Sequence, residues 1–268
     1  MSEQIEPTAI ARLTRDLKTA AATLTDKEAR FLVDAYYLVQ ENRIRTDAQI
    51  RAMMESGEPC AVLSWLSEQS RVLETEVKGA LDKYSAGHEV GEWLRGVVGI
   101  GPVIAAGLMA HINIEMAPTA GHIFSFAGLN PNVKWKKGQK RPWNAALKVL
   151  CWKAGESFVK TKGNDNSVYG KLYDKRKAEE EEKNVAGEFA EKAAQILASK
   201  RIGKTTEAFK HYSEGRLPPG HLHARAKRWA VKIFLSNLHE VWFEKHYGRP
   251  APAPYPFAHL GHVHKIEP

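Results

Sequence analysis

Apolar side chains recur at steps of three and four through most of the chain, and nothing in the first 85 residues alternates with the period of two expected of a half-buried strand. The pattern predicts a mostly α protein. Thr25, Asp26, Lys27 and Glu28 form a T-x-x-E capping box, in which hydroxyl and carboxylate satisfy free amides at a helix start. That helix should run to about Arg45. A second, short helix is expected from Asp47 to Glu55, closed by Ser56, Gly57 and Glu58, with Pro59 in the first turn of the helix that follows. From there Leu63, Leu66, Ser70, Leu73, Val77, Ala80 and Tyr84 keep the spacing of a coiled-coil seam until Ser85, Ala86, Gly87 and His88 break the helix. Such a stripe serves either packing within its own domain or a self-associating hairpin.

The segment LRGVVGIGPVIAAGLMAHI, Leu94 to Ile112, reads as helix-hairpin-helix: a short apolar helix, a tight turn at Val98-Gly99-Ile100-Gly101, and a second apolar helix. Gly99 and Gly101 are expected to turn with positive φ and to leave room for a ligand. Pro102 opens the second helix where its missing amide costs nothing, and the free amides and helix dipole suit a phosphate oxygen. Gly99, Ile100, Gly101 and Val103 are therefore candidate backbone contacts, against the alternative of a turn that serves packing alone.

Further on, FSFAGLNP leads into VKWKKGQKRPW, where Lys134, Lys136, Lys137, Lys140 and Arg141 surround Trp135 and Trp143. Cations interleaved with aromatic rings suit a strip that follows phosphates and offers stacking platforms, although tryptophans can equally fasten a solvated loop to the core. The last long helix, from about His221 to His246, carries Arg225, Lys227, Arg228, Lys232 and Lys245 beside an apolar face, so its basic side extends the phosphate surface. The pattern organises the chain as a helical, coiled-coil-like region over 1–89, a helical domain over 90–250 with a charged helical insertion at about 161–220, and a proline- and histidine-rich tail over 251–268. The insertion's run EEEE reads as a wet helix face, since four adjacent carboxylates point around a helix and do not converge.

Charge sharpens this picture. Lys and Arg number 39 against 31 Asp and Glu, a formal +8, which favours polyanionic partners or acidic membrane surfaces. No apolar run approaches the roughly 20 residues that cross a bilayer, and MSEQIEPTAIARL carries no secretory stretch, so a soluble cytoplasmic protein without membrane contact is expected. The two cysteines, Cys60 and Cys151, lack the close spacing of a zinc site and read as core residues. His221 with His223 and His262 with His264 form two HxH pairs near His239, His246 and His259. Without a cysteine pair or HExxH spacing, packing and capping are the expected roles of these rings. No cofactor is expected.

The succession GVVGIGPVIAAGLMAHI, TAGHIFSFAGLNP, a Lys/Gly-rich loop and NAALKVLCWKAGESF, over about residues 90 to 160, resembles the C-terminal transposase domain of the DEDD class of bridge-RNA-guided insertion-sequence recombinases. ARAKRWAVKIFLSNLHEVWF is similar to that domain's last helix, and the heptad helix to the coiled coil that supports dimerisation there. The resemblance implies a DNA-handling fold and a homodimer. It also implies a catalytic apparatus that is missing here: the residues before the heptad helix offer no strand-borne acidic cluster, and NVKWKKGQKRPWN holds no serine where the family keeps its nucleophile. Ser125 lies before the turn and does not match. The expected function is a catalytically silent nucleic-acid-binding protein that reads backbone or shape, with DNA as first partner and RNA as second. The competing expectations are a recombinase or nuclease subunit using Glu115, His111 or His122, and an RNA-binding or scaffolding module built on the heptad helix.

Overall fold

The structure, a computed structural model, describes residues 12–133, 135–254 and 266, and every regular element among them is helical. Helix α1 (Arg15–Ala20) starts at Thr14, whose hydroxyl accepts from the Leu17 amide, and tightens into a 3₁₀ turn at Ala21–Thr23. Helix α2 (Asp26–Glu55) opens with the expected capping box: Glu28 Oε2 accepts from the Thr25 amide at 2.8 Å, and Thr25 Oγ1 from the Glu28 amide at 3.3 Å.

Contrary to the two-helix expectation, α2 continues through Arg45 to Glu55. Thr46 returns its hydroxyl proton to the Asn42 carbonyl at 2.9 Å, and Asp47 accepts from Arg43 at 3.1 Å, from Arg71 at 3.0 Å and from the Ser67 hydroxyl. An aspartate interrupts a helix when its carboxylate competes for local amides; here it is taken up by tertiary partners. The helix ends where expected, at Ser56 and at Gly57 with φ 73°. Pro59 lies just before the N-cap Cys60, not within the first turn, and Cys60 is only half-buried, while Cys151 is in the core as expected.

Helix α3 (Ala61–Ala86) returns antiparallel along α2, as the pairings Asp26 with Tyr84, Arg43 with Glu74 and Asp47 with Ser67 require. Its heptad stripe is only partly its inner face: Ala80 and Tyr84 are buried, but Leu66 is exposed and the polar Ser67 and Glu74 are buried. Ser67 and Glu74, which bond Asp47 and Arg43, stand one residue beyond the stripe positions Leu66 and Leu73, so the inner face is turned from the one the apolar pattern marks. Helix α4 (Gly91–Gly96) is short, and α5 (Pro102–His111) buries Val103 and every residue from Ala105 to Ala110, the signature of a core helix. Arg30 of α2 donates to the Ala110 carbonyl at 2.9 Å.

The chain forms two compact units, one reaching to Arg95 and including Gly101–Asn113, the other comprising Gly96–Ile100 and the chain from Ile114 onward. The division therefore runs through the glycine turn and not ahead of it near residue 89. In the second unit α6 (Ala120–Phe126), α7 (Ala145–Thr161), α8 (Val168–Val185), α9 (Ala190–Ser199) and α10 (Glu207–Ser213) accompany the long α11 (Pro219–Tyr247). Phe158, Tyr169 and Phe234 meet at centroid distances of 5.1–5.3 Å, and the Asn237 amide donates to the Tyr169 hydroxyl at 3.1 Å.

The stretch expected as an insertion is, through α8, part of this core. Tyr169, Tyr173, Glu180 and Asn184 are buried, and the Asn184 side chain exchanges both hydrogen bonds with the Leu217 backbone at 2.7 and 3.0 Å. These residues follow one another at steps of four and seven, so one inward stripe runs beneath the charge. Of EEEE, Glu180 lies inside, while Glu181 and Glu182 are exposed. Past α11, Pro250–Pro254 lines a cleft together with Ser236, Glu240 and Glu244. No helix among the described residues is long and apolar enough to cross a membrane.

Candidate anion-binding site

Gly99 turns with φ 99°, but Gly101 is the extended N-cap of α5 at φ −86° and ψ 174°, so only the first glycine has the expected left-handed conformation. The Gly99 carbonyl accepts from Ser157 Oγ at 2.5 Å, and a Cβ at this position would stand 3.1–3.3 Å from Thr161 Oγ1, Phe158 Cδ1 and Ser157 Oγ. Packing on the end of α7 is thus sufficient reason for glycine at 99. The side chains of Ile100 and Val103 are buried, and Gly101 is exposed with open space where a Cβ would be. Gly99 and Ile100 fall in the second unit, Gly101 and Val103 in the first.

In the basic loop the tryptophans bind their own neighbours. Trp135 donates to the Gln139 carbonyl at 2.8 Å and lies edge-on to Trp143 at 6.2 Å, Arg141 stands 5.6 Å from the Trp135 ring, and Lys148 stands 4.3 Å from that of Trp143. Gly128, at φ 65°, is held so close that a Cβ would come within 2.8 Å of Trp143 Cγ, and the Asn144 amide donates to the Phe126 carbonyl at 2.8 Å to close the loop base. Lys136, Lys137, Lys140 and Arg141 are exposed. Lys134 lies outside the described residues.

Helix α11 separates its cations by face. Lys227 is buried and its ammonium engages the Glu156 carboxylate of α7, 5.1 Å from the Trp152 ring, so it is withdrawn from the expected phosphate surface. The reason is its position: Lys227 shares its face with the core residues Ala230, Val231 and Phe234, whereas Arg225, Arg228 and Lys232 follow another face at steps of three and four.

That second face lines a concavity of about 380 Å³ with Arg176 and Glu180 of α8 and Lys192 of α9. The turn Gly128–Pro131 and the Trp229 side chain complete its wall. Glu180 accepts from Arg225 Nε at 2.5 Å and Nη2 at 3.2 Å, and from Arg176 Nη2 at 2.7 Å. Burial alone would raise the Glu180 proton affinity, but the Arg225 and Arg176 guanidiniums outweigh it and hold the carboxyl below its usual range. One carboxylate thus fixes two arginines.

Lys192, Arg228 and Lys232 form no ion pair among the described residues. Desolvation and then the charges of Arg225 and Arg228 lower the proton affinity of Lys192; desolvation and Arg225 lower that of Arg228; desolvation and Arg228 lower that of Lys232. Cations that repel one another around one cup favour an entering anion, which relieves that repulsion. Arg225 and Arg228 were legible as candidates from the sequence; Arg176 and Lys192 were not, because charge density in 161–220 reads as solvation until the Arg176–Glu180–Arg225 bonds reveal a turned-in face.

Among the described residues, the first histidine pair does not converge. Two residues apart on α11, His221 and His223 project about 200° from each other, and their Nδ1 atoms lie 3.1 Å from the Tyr212 hydroxyl and 2.7 Å from the Tyr173 hydroxyl. Burial, then Lys192, Arg225, Arg228 and Lys200, push the His221 imidazole down to about 4. His239 is buried against the Ala117 carbonyl at 2.8 Å, and His259, His262 and His264 lie outside the described residues. No group of His, Cys, Asp or Glu among the described residues is arranged to hold a metal ion. Of the alternative catalytic set, His111 belongs to the first unit, while in the second Glu115 lies 3.6 Å from His246 and His122 3.0 Å from Thr119 Oγ1. Comparison with protein-family models, curated proteins and solved structures finds no match to this chain.

Proposed function

We propose that the protein binds nucleic acid through the phosphate backbone, using the basic face of its second unit, with DNA the first partner and RNA the second. The observation that carries this reading is the concavity in which Lys192, Arg228 and Lys232 face solvent-accessible space while Glu180 is already committed to Arg176 and Arg225. The exposed Lys136, Lys137, Lys140 and Arg141 extend the same charge along the loop that follows the concavity's Gly128–Pro131 wall. Ammonium and guanidinium groups of this kind recognise phosphate and carry no base code, so sequence selectivity is low. The sequence likeness to recombinase C-terminal domains agrees with a DNA-handling role.

The test is titration of the full chain with duplex DNA, single-stranded DNA, a four-way junction and structured RNA at several salt concentrations. Affinity should fall linearly on a log–log plot against salt, and Arg228→Gln with Lys232→Gln should flatten the slope by about 0.9 for each duplex phosphate that is no longer neutralised. Binding that ignores salt, or no binding to any of the four, would overturn the reading.

A further inference from the structure

The concavity differs from a track for a continuous backbone. A track needs cations spaced along one line, whereas here Arg176 comes from α8, Lys192 from α9 and Arg225, Arg228 and Lys232 from α11, all lining one cup of about 380 Å³. Glu180, almost fully buried at the cup's wall, clamps Arg176 and Arg225 and fixes the direction of two guanidiniums. The Gly128–Pro131 turn, which lines the same cup, is braced, since Gly128 abuts Trp143 and Asn130 donates to Ser125 Oγ at 3.1 Å while accepting from the Asn132 amide at 3.0 Å. A preformed cup with several convergent cations and one committed acid matches a compact dianion better than a bridging phosphodiester, which brings one negative charge. Leu129, Pro131 and Trp229 give the same cup an apolar wall that inorganic phosphate would leave unused. The ligand therefore carries an organic group beside its phosphate.

We infer that this cup takes the terminal phosphate monoester of a nucleic acid strand, with Lys192, Arg228 and Lys232 on the phosphate oxygens, Glu180 as the residue that positions Arg176 and Arg225, and the end nucleoside against Trp229. The inference rests on the nucleic-acid reading above and adds a preference for phosphorylated ends.

The experiment compares oligonucleotides of one sequence bearing a 5′-phosphate, a 3′-phosphate or hydroxyl at both ends, titrated against the full chain. A phosphate at one end should tighten binding about tenfold over the hydroxyl-ended strand. Lys192→Gln with Arg228→Gln should erase that advantage, so that phosphorylated and hydroxyl-ended strands bind the variant equally, each more weakly than the parent binds it, while the melting curve persists. Equal affinity for all three strands, or an advantage that survives the double substitution, would overturn the end-phosphate assignment and leave general backbone binding standing. Absence of binding to every strand would remove both. A nucleoside monophosphate that binds as tightly as the phosphorylated strand would overturn the strand end as the source of the phosphate.

Discussion

Glu180 stabilises the second unit only while it is ionised. Its side chain is almost fully buried between the guanidiniums of Arg176 and Arg225, so Glu180→Ala would leave two cations facing each other without a counter-charge. Breaking a buried pair from one side costs about 3–5 kcal/mol, and urea denaturation should show a loss of that order. The pH dependence follows from the same bonds. With its carboxyl held below the ordinary value of 4.5, the folded state binds fewer protons than the unfolded state in the window between the two values. Stability from this group is fully present above that ordinary value and is lost as pH falls through the lower, folded value. Glu180→Gln should melt at a lower temperature than the parent at neutral pH, and the difference should shrink on acidification through that window. A difference that stays constant there would mean that the carboxylate's charge contributes nothing.

At the scale of elements, legibility depended on whether the signal was local. The Thr25 capping box, the Gly57 stop and the break at Gly87 are set by residues within a turn of one another, and all three stand where the pattern placed them. The continuation of α2 through Asp47 was not local, because the carboxylate is engaged by an ion pair from Arg71 and a hydrogen bond from Ser67, 24 and 20 positions away in sequence. The burial of α8 was hidden for a related reason: its inward face includes Glu180, a charge made tolerable by Arg225 of another helix together with Arg176 of its own. The two turn glycines make the contrast testable. Gly99 combines φ 99° with a filled surrounding, so Gly99→Ala should cost about 1–3 kcal/mol in chemical denaturation. Gly101 is extended with open space at its Cβ direction, and Gly101→Ala should stay within about 0.5 kcal/mol of the parent. Equal costs at the two positions would contradict this account of the turn.

For the whole molecule, the arrangement of the chain matters more than its charge. The sequence suggests a boundary near residue 89, after the heptad helix, yet the first compact unit also includes Gly101–Asn113. Within that unit α5 lies against both α2 and α3, and its buried Val103, Ala105, Leu108 and Met109 add apolar surface to a pair that also holds the polar bonds of Arg43, Asp47 and Glu74. Two helices without a third layer bury too little to offset the entropy of ordering them. A fragment of residues 1–95 should therefore show weak helicity and a broad thermal transition by circular dichroism, whereas a fragment of residues 1–113 should melt cooperatively. A sharp transition in the shorter fragment would show that the hairpin is self-sufficient and that α5 adds nothing to the first unit. Failure of both fragments to melt cooperatively would instead mean that this unit depends on residues beyond Asn113.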